Sequence, residues 1–255
     1  MKKIAAFGAA ALLAASLLVP ASAQERRFDD AQRAEIGEIV REYLLENPEI
    51  MRDVFAELER RQAVAQEAAQ RQALEEEQET LFASAHDVVL GNPDGDVTLV
   101  EFFDYNCGFC KRALGDILAM VEADPQLRVV LKEFPVLGQN SLEAAQISIA
   151  ATGKLSPEQA AAFHVELLGT RGQIDGARAL AVAQEMGLDP EALRAEMRSD
   201  RVRAVLTENM QLADRLGLTG TPAWVVGDSV IFGAVGQARL AEAVSNTRSC
   251  GSTSC

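Results

Sequence analysis

The sequence predicts an α/β fold in which a block of helices is inserted between two strand-bearing halves, with a helical extension in front. Three observations carry that prediction. Residues 97–103 and 127–134 are mostly apolar runs on either side of a helical stretch, which makes a βαβ unit with parallel strands. Residues 141–216 read as helix throughout, interrupted only by Gly, Pro and Asp punctuation. Strand character then returns over 222–228 and 230–232, ahead of a last helix near 237–245.

The first residues have the three parts of an export signal: Lys2 and Lys3, an apolar run over 4–19, and the small residues Ala21-Ser22-Ala23. Residues 1–23 are therefore expected to be a signal peptide that exports a mature chain starting at Gln24. The run is too short for a retained membrane span, and no later stretch is apolar enough for one. The 255 residues carry a formal charge of −14, which argues against nucleic acid or anionic membrane surfaces as partners.

Residues 24–85 form the extension. Ile36, Val40, Tyr43 and Leu44 recur at helical spacing on one face. Asn47-Pro48 breaks that helix and starts another, in which Ile50, Val54 and Leu58 continue the stripe. From 59 to 80 the chain is rich in Ala, Gln, Glu and Arg, which favours helix but offers little to bury. Over the whole extension acidic residues outnumber basic ones two to one. An oligomerisation segment on a polar helical stalk fits this pattern; the alternative is that the stripe folds back onto the same chain.

A turn-rich linker, 91–96, leads into the first central strand. The helix after it runs from Cys107 to about Ala123, closed by Asp124-Pro125. Helices follow over 142–151, 157–168, 177–186, 190–197 and 202–216, then a hairpin through Gly227-Asp228. The tail, 247–255, reads as flexible. This order is that of a thioredoxin fold at 86–246 with a helical insertion at about 138–217.

The chemistry centres on Cys107-Gly108-Phe109-Cys110, where a strand feeds a helix. At a helix N-terminus the unpaired N–H groups and the macrodipole favour a thiolate, so Cys107 is the expected nucleophile. Cys110, one turn in, is the expected resolving thiol. Half of a zinc site is the alternative, but the remaining cysteines, Cys250 and Cys255, lie far along the chain, and His86 and His164 are not spaced to help. Glu101 stands in an otherwise apolar strand, where an acid costs burial energy unless it has a partner or a task. Trp224 is expected as core filler beside the proline loop, and His164 as a surface or half-buried residue. Cys250 and Cys255 fit a local disulfide; a shuttle thiol pair or a soft-metal site such as for Cu(I) is the alternative.

These residues resemble a known family. F-F-D-Y-N-C-G-F-C-K-R over 102–112, K-E-F-P over 132–135 and G-T-P-A over 220–223 are similar to the DsbA-like periplasmic thiol–disulfide oxidoreductases, across roughly 97–245. L-E-N-P-E-I over 45–50, followed by a long polar helix, resembles the N-terminal extension of the ScsC-type branch. The resemblance implies a redox-active disulfide between Cys107 and Cys110, with no further cofactor and no metal. It implies that Pro222, preceded by Thr221, is a cis-proline facing the pair and offering backbone groups to an extended substrate. Glu101 is implied to be the buried acid that exchanges a proton with the second thiol. Lys132, on the adjacent strand, is its expected partner, unless both only cap strand ends in solvent.

Gly108-Phe109 departs from the Pro-His of strongly oxidising members, whose histidine stabilises the thiolate. It is closer to the disulfide isomerases. The extension implies a homo-oligomer, trimers included, and a link to isomerase activity and copper tolerance. Three functions follow as expectations. In the first, an isomerase or reductase acts on cysteine-containing exported proteins and is kept reduced by a membrane thiol reductase. In the second, an oxidase is served by a membrane oxidase. In the third, a copper-tolerance or chaperone-type protein binds through its thiols.

Overall fold

The structure is a computed structural model and describes residues 28–255; the expected signal peptide lies outside the described residues. The chain divides after Glu59 into two units. The first holds α1 (Asp30–Glu46) and the start of α2 (Glu49–Glu76). Asp29 caps α1 by accepting from the Gln32 N–H, and the Gln32 side chain returns a bond to the Asp29 N–H. Ile36, Ile39, Val40 and Tyr43 on α1, and Met51, Val54, Phe55 and Leu58 on α2, all stay exposed.

The second unit contains the rest of α2, then α3 (Gln78–Phe82), β1 (Val88–Gly91), β2 (Val97–Phe103), α4 (Gly108–Ala123) and β3 (Leu127–Glu133). The insertion follows as α5 (Gln139–Thr152), α6 (Pro157–Gly169), α7 (Gly176–Glu185), α8 (Pro190–Glu196) and α9 (Asp200–Arg215). The hairpin β4 (Ala223–Val226) and β5 (Ser229–Phe232) and the helix α10 (Gln237–Cys250) complete it. Its sheet has the order β1-β3-β2-β4-β5. β2 and β3 are parallel, as their helical crossover requires, and the other pairs are antiparallel.

Successive strand residues face opposite sides, so β2 separates two cores. Leu99 and Phe103 join Ile117 of α4, Val244 of α10 and the helical insertion on one side. Val100 and Phe102 join Leu212 and Leu216 on the other, together with Ala73 and Leu74 of α2 and Leu81 of α3.

Three expectations need correction. The extension was expected to end near residue 85, yet the unit containing the sheet starts at Arg60. Leu74 and Leu81 are buried there, the Gln70 side chain donates to the Leu216 carbonyl at 2.8 Å, and Arg215 pairs with Glu77. Few apolar residues in a polar helix suffice when each covers a sheet face. Strand β1 was not anticipated, because four residues carry no readable period. The tail is not a flexible appendage: α10 continues to Cys250, and Gly251 ends it in the left-handed region. Thr253 is then buried, with its N–H on Asp228 and its hydroxyl against Ser229.

Candidate active site

Cys107 is the N-cap of α4, with its sulfur accepting from the Cys110 N–H at 3.5 Å. The turn before it is held from several directions. Asp104 accepts from the Asn106 and Leu137 N–H groups, and its own carbonyl accepts from the Cys107 N–H at 2.9 Å. Asn106 donates to the Ile174 carbonyl and accepts from the Ile174 N–H, both at 2.7 Å, and its amide also reaches Ser141. Lys111 Nζ donates to the carbonyls of Thr170 and Gly172. The insertion therefore grips the first turn of α4 through its α6–α7 loop.

From the other half of the fold, the Thr221–Pro222 peptide bond is cis, and the Cys107 thiol donates to the Thr221 carbonyl at 3.2 Å. Cys107 and Cys110 are both reduced here and both buried. The Cys110 thiol and the N–H groups of Cys110 and Phe109 hold the Cys107 thiol down to about 5 against the opposing effect of burial. Cys110 is pushed far up, first by its bond to Cys107 and then by burial. A thiolate at one sulfur and a retained proton at the other is the asymmetry that exchange chemistry uses.

Glu101 lies on the α4 side of β2, opposite Leu131 of β3 and Trp224 of β4. It is 1% exposed, and its Oε1 has no hydrogen-bond partner. Burial, and then the nearby Cys107, raise its carboxyl to about 8. The expected pairing with Lys132 does not occur. Lys132 sits opposite Phe102, on the other sheet face, where its Nζ meets Asp87 at 2.6 Å and the Thr80 carbonyl. The two-residue period of a strand forbids the pairing, since Glu101 and Lys132 are one step out of register. Lys132 is therefore a buried structural ion.

Phe109 is 55% exposed beside the sulfur, and the Arg112 guanidinium stacks on its ring at 4.3 Å. Space does not demand glycine at 108, because nothing stands within 4 Å of an added Cβ. Trp224 is buried, donating its ring N–H to the Gly233 carbonyl, as core filler would. His164 is buried rather than surface-lying, packed edge-on against Phe103, and burial lowers its imidazole to about 3. Cys250 and Cys255 form a disulfide with each other. Among the described residues no group of three or more His, Cys, Asp or Glu side chains gathers as a metal site.

Sequence reasoning missed Asp104, Asn106 and a second buried acid, Glu133. Glu133 pairs in register with Phe103 and is raised to about 8 by burial. Its signal was the one that exposed Glu101, an acid in an apolar run. Asn106 offered no such signal, because its partners lie in the insertion.

Comparison with known proteins agrees with this geometry. The DSBA-like thioredoxin domain matches residues 98–245, and the N-terminal domain of the copper resistance protein ScsC matches residues 32–65. A thioredoxin-like oxidoreductase from Silicibacter pomeroyi is 42% identical, with a TM-score of 0.63 over 67% of this chain and 96% of that one. A linker-deletion mutant of ScsC from Proteus mirabilis is 28% identical, with a TM-score of 0.64 over 87% and 97% of the two chains. The Na(+)/H(+) antiporter NhaA 1 of Salinispora arenicola is 25% identical over 162 residues, covering 63% of this chain and 24% of that protein. The chain thus spans about a quarter of the length of the curated relatives it matches. Among the described residues no helix is long and apolar enough to cross a membrane. The chain belongs to the DsbA-like thioredoxin-domain family and carries an ScsC-type segment ahead of that domain.

Proposed function

We propose that this chain is a periplasmic thiol–disulfide oxidoreductase for cysteines of exported proteins, working in the isomerase and reductase direction. One observation carries the reading: Cys107 caps α4, faces the carbonyl of Thr221, and has Cys110 one turn behind it. The Cys107 thiolate attacks a sulfur of a substrate disulfide, forming a mixed disulfide and expelling the other substrate sulfur as a thiolate. In isomerisation a second substrate thiolate then attacks the mixed disulfide, returns Cys107 as thiolate and leaves a new substrate disulfide. In reduction Cys110 loses its proton and attacks Cys107, so that the substrate leaves reduced and the pair leaves oxidised. Glu101, once ionised, is the acid assigned to take that proton, because it is buried and interacts electrostatically with both cysteines. Only the two sulfurs carry electrons, and a membrane thiol reductase is the partner that would restore the pair.

Two features favour this direction over oxidation. No histidine stands between the cysteines, so one stabiliser of the thiolate found in strong oxidants is missing. The first unit leaves a stripe of apolar residues uncovered, and its match to the ScsC N-terminal domain supports assembly of several copies, trimers included. An assembly holds several reduced sites near one misfolded substrate. The proposed location rests on the leader-like residues 1–23 and on the oxidising compartment that a disulfide such as Cys250–Cys255 needs.

The test compares the mature chain with one starting at Arg60, which keeps Leu74 and Leu81 in their core. Mass in solution, activity on a scrambled disulfide substrate and activity on a reduced substrate are measured for both. The full chain is expected to be oligomeric and to isomerise, and the shorter one to be monomeric and isomerise poorly. Equal isomerisation by both would end the assembly reading. A full chain that oxidises reduced substrate and leaves scrambled substrate unchanged would reverse the direction.

A further inference from the structure

We propose that Lys111, Arg112 and Arg171 form a basic rim beside Cys107 that selects substrate cysteines flanked by acidic residues. This rests on the oxidoreductase reading and narrows its substrates. Lys111 and Arg112 follow Cys110 directly in α4. Lys111 Nζ reaches the carbonyls on both sides of Arg171, Thr170 and Gly172, at 2.8 and 2.9 Å, so the backbone of Arg171 is held beside Lys111, one turn along α4 from Cys107. Arg112 stacks on the exposed ring of Phe109, between the two cysteines in sequence, which leaves the edge of its guanidinium free to donate.

None of the three meets a carboxylate within salt-bridge distance, whereas Arg194, Arg201, Arg203, Arg215, Arg239 and Arg248 each do. The acids close in sequence do not neutralise them. Asp116, one turn beyond Arg112, makes no ion pair with it, and Asp175, which caps α7 through the Arg178 N–H, makes none with Arg171. Lys154, Arg178 and Arg198 are likewise without a salt bridge, so what marks these three is their nearness in sequence and fold to the nucleophile, in a chain of formal charge −14. The field of that charge is screened beyond a Debye length of about 10 Å at 0.1 M salt, so a substrate segment lying along the site meets mainly the local charges. Phe109, exposed two residues after the nucleophile and in contact with Arg112, supplies an apolar surface for the same segment.

The test uses the reduced full chain and three extended peptides, each with one cysteine held as a disulfide with 2-mercaptoethanol. The peptides differ only in carrying Glu, Gln or Lys on both sides of that cysteine. In each reaction Cys107 and Cys110 become a disulfide, and peptide thiol and 2-mercaptoethanol are released as thiols. The rate of peptide thiol release is expected to follow Glu over Gln over Lys, with about tenfold between the extremes at low salt. At about 0.5 M salt the gap should close, because screening shortens the reach of the rim. In the double variant Arg112→Glu, Arg171→Glu the order should invert. Equal rates for all three peptides, or a gap that salt leaves unchanged, would overturn the proposal. No release from any peptide would sink the oxidoreductase reading itself, and this inference with it.

Discussion

Cys107 and Cys250 stand at opposite ends of their helices. Cys107 caps the N-terminus of α4, where free N–H groups and the positive end of the macrodipole stabilise a thiolate. Cys250 is the last residue of α10, where the dipole disfavours one, and it is closed in a disulfide with Cys255. The two places are also far apart. Arg248, beside the tail disulfide, binds Asp96 and Asp124 at the opposite end of α4 from Cys107. A helix of 16 residues spans about 24 Å, so the tail pair cannot relay electrons directly to Cys107 of its own chain. One pair is placed to react and the other to brace. The shuttle alternative for Cys250 and Cys255 loses its geometric basis.

The sharpest test of that contrast is Cys107→Ser, which should drop exchange to the uncatalysed background in any substrate assay. Next comes Cys110→Ala. Mixed disulfides with substrate should accumulate on Cys107, visible by mass. The inflection for alkylation of Cys107 should also rise from about 5, because the Cys110 thiol is the foremost group stabilising the thiolate. An unmoved inflection would mean that the helix terminus alone sets the reactivity.

Glu101→Gln should slow the resolving step by about 10²-fold, the lower end of what a positioned proton acceptor contributes. It should also change how stability depends on pH. Glu101 binds its proton more tightly folded than unfolded, so its contribution is present below about 4.5 and is lost as pH rises toward about 8. Thermal melts of the reduced protein should therefore fall across that window in the parent and fall less steeply in the variant. Some slope persists, because Glu133 is raised to the same range. The smallest effect belongs to the other pair. Cys250→Ser with Cys255→Ser should leave exchange unchanged and cost about 2 kcal/mol of stability, the chain-entropy value for so short a loop. A loss of exchange in that variant would break the contrast.

Much of this was legible in the residues. Apolar runs, helix punctuation and the C-x-x-C spacing placed β2, α4, β3, the five insertion helices and the hairpin close to where they lie. Local sequence dictates such features, since strand period, caps and turn residues act within a few positions. Glu101 stood out for the same reason, as a carboxylate in a strand with nothing nearby to hold it.

What lay beyond reach depended on contacts distant in sequence. Lys132 is adjacent to Glu101 on paper, yet strand register turns it to the far face and gives it to Asp87. Asn106 became a clasp only because Ile174 is folded beside it. Leu74 and Leu81, sparse in a polar helix, joined the core because the second face of the sheet needed cover. By itself the sequence determined most of the elements and the cysteine pair at a helix start, because short-range periodicity and helix-end electrostatics are written into neighbouring residues. The tertiary structure alone decided which buried charges meet and what grips the reactive turn, because those depend on which surfaces the fold presses together.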